Sequence, residues 1–318
     1  MSGGRVGVVV LDFGRPDDAA RAAASARSAD TRVLIVENGV GPGLTSDENH
    51  LRFPENRGFA GGMNAGLKHL LAEGCDRLLL LNSDAVLQPN CLGLLADAIE
   101  DPALGAVGPV ILRERDGRVE SRGVSVDLRW GRVRLVAHGE APRDEVGLVP
   151  VAALSGAVLM LHRRAIERVG LLDEDYFFSF EDIDWCVRTV QAGLGLGVVL
   201  GARAQHAGSQ TIGPSSPDRF YYSARNHVRF LGRHRHSARI PLRLRFGAAA
   251  VLELAHALRQ SYTGRTQAVR AVLAGLLDAR RGRFGARFPE SLQATAVVGS
   301  GRAAETRSHR GHNRRGSV

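Results

Sequence analysis

Leu78-Leu79-Leu80-Leu81-Asn82-Ser83-Asp84 is the stretch that decides the fold. Its apolar part, from Arg77 to Leu81, reads as a buried strand. The polar triplet that follows places Asp84 at the carboxyl edge of a sheet. Working outward, Val6 to Leu11 and Arg32 to Val36 are β-branched runs of the same kind, and Ala106 to Leu112 is strand-like as well. Helical segments lie between them. Asp17 to Arg27 is Ala-rich and opens with Pro16 and two acidic residues, which suit a first turn. Asn64 to Glu73 ends at Gly74, and Pro89 to Glu100 is a further helix. This alternation predicts parallel strands with helices on both faces. Ligands of such sheets bind beyond the carboxyl ends of the strands. The residues to watch are therefore Asp12, Glu37-Asn38 and Asn82-Ser83-Asp84.

The middle of the chain changes character. Arg113 to Leu148 reads as hairpins or irregular strands, with alternating patches at Val124 to Leu128 and Val133 to Val136. Val151 to Leu161 is apolar again. Helices are expected at Arg163 to Val169, closed by Gly170, and at Ile183 to Ala192, closed by Gly193; Leu196 to Leu200 is a strand. After Pro217 the sequence turns helical, at Arg219 to His234, Leu242 to Gln260 and Thr266 to Arg280. Val251, Leu254, Ala255 and Leu258 form an apolar stripe there. Such a stripe either packs on the preceding domain or docks on a membrane surface or partner.

With 318 residues, 44% of them apolar, the chain can form one large domain with an appendage. Much of the basic excess behind its net charge of +9 lies between Arg280 and Arg315. From about Glu290 the residues are small, polar and charged, and a disordered tail is expected. A basic tail either meets nucleic acid, anionic lipid or an acidic partner, or only solubilises. Cys75, Cys91 and Cys186 have no metal-ligand spacing and read as core residues of a reducing compartment. The N-terminus lacks a signal-peptide pattern, and the apolar run from Phe246 is interrupted by Glu253 and His256. The expected location is cytoplasmic, with peripheral contact at the inner face of a membrane left open.

Four segments carry chemistry. Asn56-Arg57-Gly58-Phe59-Ala60-Gly61-Gly62-Met63-Asn64 is Gly-rich ahead of a helix: a phosphate cradle or a tight connection. Asp84 is a cation ligand or a turn residue. In Phe177-Phe178-Ser179-Phe180-Glu181-Asp182-Ile183-Asp184, three carboxylates follow an aromatic run. They are either a general base with its neighbours or acids favouring a helix dipole. His206 is a packed histidine or a partner for Asp84 on a metal.

Taken in order, these segments resemble the inverting glycosyltransferases of family 2, with the GT-A fold, and in particular the bacterial rhamnosyltransferase-like and galactofuranosyltransferase-like branch. The matching positions are Asp12-Phe13, Glu37-Asn38, Asn56 through Asn64, Asn82-Ser83-Asp84, Ser155-Gly156-Ala157, Glu181-Asp182-Ile183-Asp184 and His206. Val169 to Phe178 and Phe220 to His227 also look like the family's surroundings of its acidic motif. The resemblance covers roughly residues 5 to 235. It departs at Phe13, where relatives often have Tyr, at Met63, and at Asn82, which leaves Asp84 the one carboxylate of the triplet.

The resemblance implies an α/β, Rossmann-like mixed sheet flanked by helices. It implies a catalytic domain over 1–235, a C-terminal helical extension over 236–289 and a basic tail over 290–318. A nucleotide-diphosphate sugar (a dTDP-rhamnose-like or UDP-sugar) would meet Asp12, Glu37, Asn56, Gly61, Gly62, Asn64, Ser155 and Gly156. Asp84 and His206 would hold Mg²⁺ or Mn²⁺. Asp182 would be the general base, with Glu181 and Asp184 orienting the acceptor or tuning it. The acceptor would be a glycan, a lipid-linked or cell-wall polymer, or a small molecule. A catalytically degenerate sugar-nucleotide-binding module is the alternative. A dinucleotide oxidoreductase is disfavoured because Asp12-Phe13-Gly14-Arg15-Pro16 is not the required Gly-rich turn. Nucleic acid is not an expected partner, since the basic residues lack interleaved aromatics. The sugar, the acceptor and the oligomeric state are not legible.

Overall fold

A computed structural model describes residues 5–39, 49–208, 216–260 and 264–287. The expected basic tail over 290–318 lies outside these residues. The first half runs β1 (Arg5–Asp12), α1 (Pro16–Ser25), β2 (Thr31–Asn38), β3 (His50–Phe53), α2 (Gly58–Ala72), β4 (Cys75–Asn82), β5 (Ala85–Leu87), α3 (Cys91–Ala98) and β6 (Leu104–Arg113). Then come β7 (Val119–Ser121), β8 (Val124–Asp127), β9 (Arg132–Leu135), β10 (Leu148–Pro150), β11 (Val158–His162), α4 (Arg163–Val169), α5 (Glu181–Gln191) and β12 (Gly195–His206). Three helices close the described chain: α6 (Pro217–Arg233), α7 (Leu242–Gln260) and α8 (Arg265–Arg280).

The main sheet has the order β10-β12-β6-β11-β4-β1-β2-β3, with β5 on β12 and β7 on β6. β4, β1, β2 and β3 pair in parallel with one another, and β12 pairs in parallel with β6. β11 runs antiparallel between β4 and β6. The sheet is therefore mixed, where alternation alone predicts parallel pairing throughout. Leu78, Leu79, Leu80 and Leu81 are all fully buried, because α2 and α5 cover one face and α1 and α3 the other.

Two boundaries differ from the sequence reading in ways that matter. Helix α2 begins at Gly58, not Asn64, so the Gly-rich segment lies inside the helix. A Cβ at Gly62 would meet Leu11 Cδ1 at 2.4 Å, and one at Gly66 would meet Val9 Cγ1 at 2.4 Å. These glycines let the helix press onto β1. Strand β12 runs on past Leu200 through a register shift against β6, and so carries His206 to the carboxyl edge beside β5.

The C-terminal helices pack on one another, and of the expected stripe Leu254 packs inward against α6 and α8. Ala249, Glu253 and Ala257 form the buried face of α7, while Val251 and Leu258 point to solvent. No helix among the described residues is long and apolar enough to cross a membrane.

Candidate active site

Asp12 and Glu37 stand opposite each other in the β1–β2 register, at the carboxyl ends of their strands. Both are buried. Asp12 accepts the backbone N–H of Arg15 at 2.8 Å, and burial, aided by the charge of Glu37, raises its pKa. Arg52 lies 3.5 Å from Glu37. Nearby, Asn56 Oδ1 accepts the Gly58 N–H at 2.8 Å, while Asn38 donates to Gly58 O and accepts from Arg57 N–H. The two asparagines fix the entry into α2. Gly61 lies in the first turn of α2, on the side of Glu174. Asn64 shares that side of the helix. It donates to Leu172 O and Glu174 Oε1 and accepts the Leu172 N–H, tying α2 to the approach of α5. Its side-chain bonds are thus taken up by protein, where the sequence reading had it against the ligand.

A second cluster lies in a cleft of about 590 Å³ lined by Asn82, Glu120, Ser155, Gly156, Glu181, Asp182, His206 and Arg219 among others. Here His206 Nδ1 is 2.9 Å from Glu120 Oε2, and His206 Nε2 is 3.2 Å from Asp84 Oδ1. Nε2 is buried and has the Asp84 carboxylate as its polar neighbour. Burial pulls the imidazole pKa down, but the two carboxylates push it up to about 10. This geometry fits a divalent cation. One imidazole nitrogen and one carboxylate oxygen are adjacent, and phosphate oxygens complete such sites. Glu120 occupies the other ring nitrogen, so it cannot share the ion; it sets the ring's tautomer and orientation. Among the described residues no group of three or more His, Cys, Asp or Glu side chains converges to hold a metal unaided.

The acidic motif is divided by the helix it starts. Asp182 is half-buried in the cleft, and its carboxylate accepts the N–H groups of Gly156 and Ile183, each at 2.8 Å. A Cβ on Gly156 would stand 3.1 Å from Asp182 Oδ2, so a small residue is needed there. Glu181 is buried with Oε2 unpartnered, and burial and the neighbouring Asp182 push its carboxyl well above the usual range. Asp182 is raised too by burial, but its amide donors pull it back. Asp184 lies apart from the cleft. It is fully buried and engaged by Arg188, Arg233, His234 and the Tyr176 hydroxyl. Burial alone would raise its pKa, but these partners outweigh it and hold the carboxyl below the usual range. The expectation that Asp184 works alongside Asp182 is corrected: one residue of helix rotation from Ile183 turns it toward α6, where its charge locks two helices.

A family model described as Glycosyl transferase family group 2 matches residues 78–252, more than half of the chain. The chain belongs to this glycosyltransferase family. It is 24% identical over 180 residues to a dTDP-rhamnosyl transferase of Shigella flexneri, covering 54% of this chain and 58% of that one. It is 29% identical over 201 residues to an N-acetylglucosaminyl-diphospho-decaprenol L-rhamnosyltransferase of Mycobacterium tuberculosis, covering 59% and 62%. The chain thus spans about three-fifths of the length of these curated relatives. Among solved structures it is similar to a mannosyltransferase from Pyrobaculum calidifontis in complex with GDP-Man and Mn²⁺, with a TM-score of 0.50, 17% identity, and 93% and 79% of the two chains covered. TarS of S. aureus gives 0.53 at 14% identity, over 91% and 50%. At these identities the likeness speaks for the fold: the chain has the GT-A architecture.

Several residues around this site escape sequence reasoning. Phe177, Ser179 and Phe180 all have left-handed backbone (φ 61°, 73° and 77°), which is strained for side chains of this kind. Asn226 holds the strained turn by donating to the carbonyls of Tyr176, Phe178 and Ser179. Arg225 donates to those of Asp175 and Tyr176. Phe220 to His227 stands out in the sequence, but without assigned roles. Glu120 comes from the irregular insert, whose sequence gives no signal that it reaches His206.

Proposed function

We propose that the protein is an inverting glycosyltransferase that moves a sugar from a nucleotide diphosphate onto an acceptor hydroxyl, with Asp182 as general base. The observation that carries this reading is the single cleft in which Asp182, its carboxylate aimed by the Gly156 and Ile183 amides, faces the Asn82–Glu120–His206 side. Glu181 and Asp182 are too close to ionise together without cost. With two amide donors stabilising its anion, Asp182 ionises first and is the proton acceptor. Glu181, its buried neighbour, tunes it.

The acceptor oxygen gives its proton to the Asp182 carboxylate as it bonds to the anomeric carbon. The bond from that carbon to the diphosphate oxygen breaks on the opposite face, which inverts the configuration. Asp84 and His206 would hold Mg²⁺ or Mn²⁺, and the metal in the Pyrobaculum complex supports this choice. When bound, the ion offsets the charge that grows on the leaving diphosphate. Glu120 keeps His206 Nε2 directed at that position. Asp12 and Glu37, at the edge of β1 and β2, with Asn56 and Gly61 at the start of α2, would receive the nucleoside and diphosphate; Gly62 would act by letting α2 approach β1. Ser155 and Gly156 would border the sugar. The relatives' names favour a dTDP-rhamnose-like or UDP-linked donor and a glycan or lipid-linked acceptor.

Thermal shift of the purified protein with UDP-, dTDP- and GDP-sugars, each with and without Mn²⁺, tests the donor class. A Mn²⁺-dependent rise is expected with one of them. Asp182→Asn should keep that rise and lower kcat by about two to four orders of magnitude. A fully active Asp182→Asn enzyme would remove the general base; donor binding without turnover in the unaltered protein would favour a degenerate binding module.

A further inference from the structure

Residues 235–287 carry eleven arginines against two acidic residues, Glu253 and Asp278, a surplus equal to the +9 of the whole chain. Both acids are turned inward. Glu253 binds Ser223 and His227, and Asp278 accepts from the Tyr221 hydroxyl. The charge that this extension shows to solvent is therefore cationic.

Its apolar residues are distributed inside out. α7 and α8 pack inward largely through small residues, among them Ala249, Ala257, Ala268, Gly275 and Ala279. Their large residues face water: Leu244, Val251 and Leu258, seven residues apart on α7, are 57%, 68% and 50% exposed, and Leu273 and Leu277 of α8 are 52% and 46% exposed. A groove of about 1030 Å³ bounded by α6, α7 and α8 is lined by Phe246, Ala250 and Leu276 with Leu273 and Leu277. Arg243 and Arg280 also line it, and neither has an ion-pair partner among the described residues. Isolated exposed leucines are ordinary, but a contiguous apolar face rimmed by cations marks an interaction surface.

We propose that the α7–α8 face seats the protein on an anionic lipid bilayer, with Leu244, Val251, Leu258, Leu273 and Leu277 entering the interfacial layer and Arg243 and Arg280 meeting lipid phosphates. The charge selects an anionic surface, and the apolar stripe selects one with a hydrocarbon layer beneath it, which a nucleic acid lacks. Another side of α7 supplies Leu252, Glu253 and His256 to the active-site cleft. Docking would hold the cleft beside the membrane, where a lipid-linked acceptor is presented. That consequence rests on the glycosyltransferase reading; the binding itself does not.

Sedimentation of the full chain with vesicles of phosphatidylcholine, alone or mixed with phosphatidylglycerol, tests the proposal. Binding to the mixed vesicles should be at least about tenfold tighter, since each basic residue near such a surface contributes about fivefold. Arg243→Ser and Arg280→Ser should each reduce that preference about fivefold. Val251→Asp with Leu273→Asp should weaken binding about tenfold or more, with the melting temperature and any donor-induced thermal shift kept, because both positions are solvent-exposed. Equal binding to neutral and anionic vesicles would overturn the proposal. So would an aspartate pair that binds as tightly as the parent, which leaves only charge attraction. A dimer of the parent chain that the aspartate pair abolishes, with no vesicle binding, would assign the face to a second copy instead.

Discussion

At the scale of single residues, the reaction turns on which carboxylate holds a proton. Burial raises Asp182, so ionising it costs folding stability, and stability on this account falls as pH rises through its folded pKa. The base must be ionised to act, so kcat/KM should fall as pH drops through that same raised value. A pH profile with its acid limb at or below the ordinary 3.8 would contradict the assignment. Asp182→Asn should accordingly leave the melting temperature at neutral pH unchanged or higher while turnover collapses. Glu120 offers a second test. Removing a carboxylate behind a metal-binding histidine costs about 10–100-fold in metal affinity. Glu120→Gln should weaken Mn²⁺ binding by that factor, read by electron paramagnetic resonance without any turnover, and Glu120→Asp should restore part of it. Unchanged Mn²⁺ affinity in Glu120→Gln would remove Glu120 from the site. Asp182, Asp84 and His206 are legible in the sequence because strand ends and a helix start announce them. Glu120 is not, because its approach to His206 depends on how β7 lies on the edge of β6.

At the scale of elements, the start of α5 is a strained turn held from outside. Three non-glycine residues in left-handed backbone precede Glu181, and the Tyr176, Phe178 and Ser179 carbonyls of that turn converge on Asn226 of α6. Asn226→Ala would leave the Phe178 and Ser179 carbonyls without that donor, at a cost of about 3 kcal/mol. It should also let Asp182 drift, lowering kcat more than it changes donor KM. Urea denaturation and steady-state kinetics read the two effects, and an unaltered kcat would show that the turn does not position the base. Asp184 ties the same two helices. Asp184→Asn should destabilise by about 3–5 kcal/mol, since it leaves the largely buried Arg188 without its carboxylate. With its folded pKa depressed, the stabilisation from Asp184 is present above its unfolded value and is lost as pH falls through the folded one. The sequence shows three acids at one helix start; only the rotation of α5 separates the cleft residue from the buried tie.

At the scale of the whole molecule, α7 is tied to the rest of the described chain by buried polar contacts. Arg245 of α7 is fully buried and donates to the carbonyls of Leu128 and Arg129 in the β8–β9 hairpin. Glu253 of α7 meets His227 of α6 at 2.9 Å. Calorimetry of the full chain should therefore show one unfolding transition; a separate transition that persists in a chain ending at residue 235 would make the extension its own domain. The same integration explains why the stripe of Val251 and Leu258 is free for a surface. The inward contacts of α7 are made by alanines and by two buried charged residues, so its large apolar side chains have nowhere else to go.

By itself the sequence determined the strands, their polar ends and the order of the motifs, because alternation, strand-terminal polar residues and helix starts are local properties of a chain. It also marked Asp84 at the carboxyl edge of a sheet and Asp182 at a helix start. Only the tertiary structure decided that Gly62 and Gly66 press α2 onto β1, that Asn64 braces a loop, that Glu120 backs His206, and that Leu244, Leu258, Leu273 and Leu277 face outward. Those facts depend on contacts between residues far apart in the chain. Periodicity says that a helix has an apolar face; it does not say which face its neighbours leave uncovered.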